Sequence, residues 1–97
     1  MFAAWTTCGV IAGAGGVATD EVGLINGDVT VHTTWTEGQA HLAVQYTGAQ
    51  DWFTLRGSPV PAASEAESRA LHQATVDAVR AGGGATAPAG CVTPEMR

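Results

Sequence analysis

The chain has 97 residues, which leaves room for one small domain and none for a two-domain enzyme. It is 45% hydrophobic and 13% charged, the balance of a folded chain rather than a disordered one. Its net charge is −5, it has no lysine, and its four arginines, Arg56, Arg69, Arg80 and Arg97, are scattered, so the basic patch that nucleic acid or an anionic membrane surface requires is missing.

Residues 1–19 are too apolar for a tail: Phe2, Trp5, Val10 and Ile11 predict an extra edge strand or a cover over one end of the core. The segment lacks the positive n-region of an export signal, and no apolar run in the chain approaches the ~18 residues that span a bilayer. A soluble, cytoplasmic protein is the expectation. In that setting Cys8 and Cys91 are expected as free thiols rather than as a disulfide, and they do not form a metal motif.

"GAGGVA", residues 13–18, has the G-x-G-x-x-A form of a dinucleotide fingerprint and follows an apolar stretch. Such glycines let a pyrophosphate reach backbone amides at a helix N-terminus, so the motif needs a helix after residue 18 and then a parallel strand. A hairpin pattern follows instead. A flexible loop with no cofactor is therefore expected, and a small enzyme or ligand carrier using Gly13–Ala18 is the alternative.

From residue 20 onward the pattern alternates with period two between turn residues. Asn26-Gly27 supplies the positive backbone angles of a two-residue hairpin, which would pair Leu24 with Val29 and Val22 with Val31. Glu37-Gly38 makes a second turn, pairing Trp35 with Ala40, Thr33 with Leu42 and Val31 with Val44. A third, at residues 48–51, sets Tyr46 opposite Phe53 and Val44 opposite Leu55. All three place the apolar residues on one face.

Ser58-Pro59 and Val60-Pro61 are expected to stop the sheet, because proline lacks the amide that a ladder needs. Ser64 and Glu67 then have capping-box spacing, which predicts a helix to about Ala81 with a narrow apolar stripe of Leu71, Ala74, Ala78 and Val79. Gly82-Gly83-Gly84 ends it, and residues 85–97 have the composition of a flexible tail. The predicted fold is α+β: a four-stranded antiparallel meander with one C-terminal helix on one face, within a single domain over residues 1–84.

The other face of that meander is the candidate site. Its expected rows are Asp28–Thr47–Trp52, Thr30–Gln45–Thr54, His32–Ala43–Arg56 and Thr34–His41. It carries no lysine or glutamate, and the tryptophan and arginine on it are residue types favoured in protein interfaces. His32, His41, Gln45, Trp52 and Arg56 are the candidate contact residues, with a protein partner or a second copy of the chain as the ligand. His32 and His41 come out as diagonal neighbours, with no third ligand for a metal, and His72 falls on the helix flank. No G-x-S-x-G elbow occurs, and no carboxylate pair is placed to shift its pKa, so no catalytic residue is assigned. A non-catalytic interaction module that self-associates or binds a protein partner through this face or an edge strand is the expected function.

Overall fold

The computed structural model describes residues 2–88. Among them, seven strands and one helix follow in order: β1 (Phe2–Ile11), β2 (Val17–Thr19), β3 (Gly23–Ile25), β4 (Asp28–Thr36), β5 (Gln39–Tyr46), β6 (Phe53–Thr54), β7 (Val60–Pro61) and α1 (Glu65–Ala81). The main sheet runs β1-β4-β5-β6, with β7 also on β5, and its strand pairs are all antiparallel. The helix packs across one face. This is an α+β fold, as its sequence pattern implies.

The Glu37-Gly38 turn is as the sequence predicts. Both residues have positive φ, 52° and 77°, and the strands it joins pair Trp35 with Ala40, Thr33 with Leu42 and Val31 with Val44. Alternation then sends Val29, Val31, Thr33 and Trp35 toward the helix and Thr30, His32 and Thr34 away from it. Leu42, Val44 and Leu55 complete the sheet side of the core, and Leu71, Val76 and Val79 supply the helix side.

The Asn26-Gly27 hairpin does not form. β4 instead pairs with the N-terminal strand β1, at eight positions from Phe2↔Thr36 to Ile11↔Asp28, whereas β3 pairs with β2 in a small separate sheet. Two segments compete for one edge of β4, and the ten-residue β1 offers far more ladder than the three-residue β3. Asn26-Gly27 turns the chain between the two sheets, with Gly27 at φ 103°, and Val22 and Leu24 are left exposed. Of the two roles expected for residues 1–19, the edge strand is the one seen.

The third turn also differs, by two residues. Val44 pairs with Phe53 and Ala43 with Thr54, because the chain turns early, at Tyr46–Ala49, and residues 50–52 stand outside the ladder. The shift is even, so the apolar face is kept.

The prolines interrupt the sheet without ending it. Val60 pairs with Ala40 and Pro61 with Gln39, an edge position where the missing amide is not needed. Where the ladder breaks, the Leu42 amide donates to the Ser58 hydroxyl at 2.8 Å.

The helix begins and ends where its signals lie. The Ser64 hydroxyl accepts from the Glu67 amide, the Glu67 carboxylate accepts from the Ala63 amide, and Gly82 caps the other end. The buried stripe, however, is Ser68, Leu71, His72, Thr75, Val76 and Val79, whereas Ala74 is exposed. Three of those six are polar, which hid the stripe's true phase. Past the helix, residues 85–88 do not hang free. Ala85 bridges to Val17, and the Ala87 amide donates to the Arg56 carbonyl at 2.8 Å. Residues 89–97, the rest of the expected tail, lie outside the described residues, and Cys91 with them.

Candidate functional site

The face turned away from α1 is open, and its centre is His32 on β4. Nδ1 of His32 lies 2.7 Å from the Thr6 hydroxyl on β1, and Nε2 lies 3.1 Å from the Thr34 hydroxyl. A neutral imidazole has one donor and one acceptor nitrogen, so one threonine donates, the other accepts, and both ring nitrogens are satisfied. Opposite His32 on β5 stands Ala43, the smallest side chain in its row. It leaves space for Trp52, whose ring lies 5.5 Å from His32 at an interplanar angle of 51°. Centroid separation and tilt both fall within the usual range for paired aromatic rings. Trp52 keeps 45% of its surface exposed.

Around this pair lie hydroxyls and amides. Thr30 and Thr47 share a hydrogen bond at 3.0 Å, and the Gln45 amide donates to the Ala49 carbonyl, bracing the turn that carries the chain to Trp52. His41 is exposed on β5 opposite Thr34.

Arg56 does not join the cluster. The two-residue shift of β6 puts Thr54, not Arg56, in the row of His32 and Ala43. The Arg56 guanidinium turns instead to β2, donating to the Thr19 carbonyl at 3.3 Å and lying 4.0 Å from the Asp20 carboxylate. Both charged groups are well exposed, so this pair contributes little to stability. Thr54 is in turn engaged by Glu21, whose two carboxylate oxygens accept from its amide and hydroxyl, each at 2.7 Å. Those bonds favour the ionised form and hold the Glu21 carboxyl below its ordinary pKa.

A second histidine cluster lies on the helix side of the same strands and was not visible in the sequence pattern. His72 is buried, with Nε2 at 2.8 Å from the Thr7 hydroxyl and Nδ1 at 2.8 Å from the Thr33 hydroxyl. Burial is the main cause that lowers its pKa, with a smaller electrostatic contribution from His32 across the sheet. The signal that would have found it is phase: Ser68, His72, Thr75 and Val79 recur at helical spacing along with Leu71 and Val76. His72 also lines an open groove of about 910 Å³ between β1 and the first half of the helix, together with Trp5, Ala66, Arg69 and Ala70.

The glycine loop has a structural partner. The Gly13 amide donates to the Val79 carbonyl, and the Ala14 and Gly16 carbonyls accept from Gly83 and Ala85. A Cβ on Gly13 would lie 2.4 Å from the Arg80 carbonyl oxygen. The glycines therefore allow backbone to meet backbone where the helix ends. The helix that a dinucleotide fingerprint requires after residue 18 is absent; β2 and a turn into β3 follow instead.

Among the described residues no three His, Cys, Asp or Glu side chains gather as metal ligands, and no helix is long and apolar enough to cross a membrane. Compared with known proteins, the chain matches no family model, and neither a curated protein nor a solved structure shows significant similarity to it.

Proposed function

We propose that this chain is a small, non-catalytic, cytoplasmic interaction module that self-associates and docks a protein partner through the open face of its sheet. The observation that carries the proposal is Trp52: a large aromatic ring, 45% exposed, held against His32 on a face of threonines, glutamine and histidine. An aromatic ring already fixed in place loses little conformational freedom on binding, which is why such residues dominate interface energies. The flanking hydroxyls, the Gln45 amide and His41 offer donors and acceptors at the rim without charge repulsion. Arg56, tied to the β2 edge, is assigned no contact in this reading.

The test is affinity capture from the native host with three baits: the unchanged chain, Trp52→Ala, and Val22→Ser as a control at an exposed position on another surface. A protein retained by the first and third baits and lost with the second supports the assignment, once purified and titrated against the same three. A partner indifferent to Trp52 would refute it.

A further inference from the structure

We infer that the outer edge of β1 pairs with β1 of a second copy, joining the two main sheets into one across a two-fold axis. The inference rests on the self-association in the reading above but uses a different surface from the Trp52 face.

β1 is an edge strand, and among the described residues its only ladder partner is β4. Alternate residues of such a strand direct their N–H and C=O groups outward, a ready template for another strand. Natural edges are commonly protected by lysine, proline, inward-pointing charge, shortness or a bulge. β1 has only the last of these: it is ten residues long, without charge or proline. Its one irregularity, a register shift between Thr7 and Val10, leaves Phe2–Thr7 paired residue for residue with Val31–Thr36.

The occupant that fits this edge is the chain itself. Most surfaces of a molecule of net charge −5 would repel a copy, but the β1 edge brings no carboxylate to the seam. A two-fold axis normal to the sheet keeps both helices on one side, so residues that pair across it share a face and therefore have equal parity. Centred on the regular stretch Phe2–Thr7, the axis then passes at Ala4 or at Trp5. In either case the two Trp5 side chains lie side by side or diagonally across the seam, beside the groove that each lines. Glu65 and Arg69 also line that groove, one helical turn apart. Ala66 and Ala70, exposed and also in its lining, are small enough to leave room there for a second helix.

The test is sedimentation equilibrium on the full chain, with amide hydrogen exchange over the same concentrations. The inference expects a mass of twice 9.8 kDa, and β1 amides that exchange more slowly as concentration rises. Ala4→Lys, at an exposed β1 position, places a lysine from each copy at the seam in either register and should raise the dimer dissociation constant at least ~10-fold. Trp52→Ala should leave it unchanged. A monomer at all concentrations, β1 exchange independent of concentration, or a dimer broken by Trp52→Ala and kept by Ala4→Lys would each overturn the inference. If Ala4→Lys fails to fold, the exchange data on the unchanged chain still decide. Loss of capture by Trp52→Ala with a dimer intact, or the reverse, separates the two surfaces.

Discussion

The Thr33 hydroxyl lies 2.8 Å from Nδ1 of His72 inside the layer between sheet and helix, while the preceding residue, His32, projects to the opposite face and is clamped by Thr6 and Thr34. Adjacent residues of one strand thus serve two histidine clusters back to back. In each, two threonine hydroxyls satisfy both ring nitrogens, which is what allows an imidazole to sit in a sheet without an ion pair.

Burial lowers the pKa of His72 from its ordinary 6.5, and this sets the sign of an acid effect on stability. As pH falls through 6.5, the unfolded chain takes up a proton on this residue before the folded chain does. The associated stability is full above 6.5, declines as pH falls toward the lowered folded value, and changes no further below it. Urea midpoints measured across this range should drop with acid in the unchanged chain, and the drop should be smaller in His72→Gln. Equal pH dependence in the two would remove His72 as its source. His72→Ala should cost about 2–4 kcal/mol at neutral pH, since it opens a cavity and strands the fully buried Thr33 hydroxyl.

Two glycines separate two physical reasons for glycine. Gly27 has φ 103° and open space where a side chain would begin, so Gly27→Val is strained in backbone alone and should cost more than ~1 kcal/mol. At Gly13 the obstacle is the Arg80 carbonyl oxygen, 2.4 Å from where the Cβ would be. Even alanine there must push the helix end from the loop, and a loss of about 2 kcal/mol or more is expected. Thermal unfolding of Gly13→Ala and Gly27→Ala compares them, and Gly13→Ala should be the worse. The reverse order would mean that the loop–helix junction yields easily.

Ser58 makes a narrower case. Its hydroxyl accepts from the Leu42 amide where β6 has left the ladder and β7 has not yet joined it. Ser58→Ala leaves that amide without its partner and should cost about 1–3 kcal/mol in denaturant unfolding, with faster exchange at Leu42. An unchanged exchange rate would show that water replaces the hydroxyl.

What the sequence revealed, and what it hid, divides along local and non-local lines. The Glu37-Gly38 turn, the Ser64 cap and the glycine stop are written in a few adjacent residues, and all three appear where those residues are. The choice between β1 and β3 as partner for β4 is a competition between segments about twenty residues apart in the chain, and no single turn encodes its outcome. Asn26-Gly27 makes its turn and still forms no hairpin between the segments it separates. The candidate face suffered a smaller change: an even shift of β6 kept His32, Gln45 and Trp52 on it and removed Arg56 to the β2 edge. His72 was missed because a histidine at a buried helical position looks like a break in the apolar stripe until Thr7 and Thr33 stand opposite it.

Trp52 gives the decisive experiment on the open face. Its ring rests on His32 but keeps nearly half its surface in solvent, so the fold gains only part of what burying an indole can provide. Trp52→Ala should therefore lower stability by no more than about 1 kcal/mol, chiefly through the lost ring contact. In a complex the same truncation should cost about 2 kcal/mol or more, because the ring would then be desolvated on its remaining side. Thermal unfolding and partner titration on one preparation measure both quantities. His32→Ala offers the companion test: it removes the support beneath the ring while leaving the indole present, so binding should weaken by less than in Trp52→Ala. If instead Trp52→Ala loses several kcal/mol of folding stability, the indole holds the loop of residues 47–52 against the sheet, and the face loses its anchor.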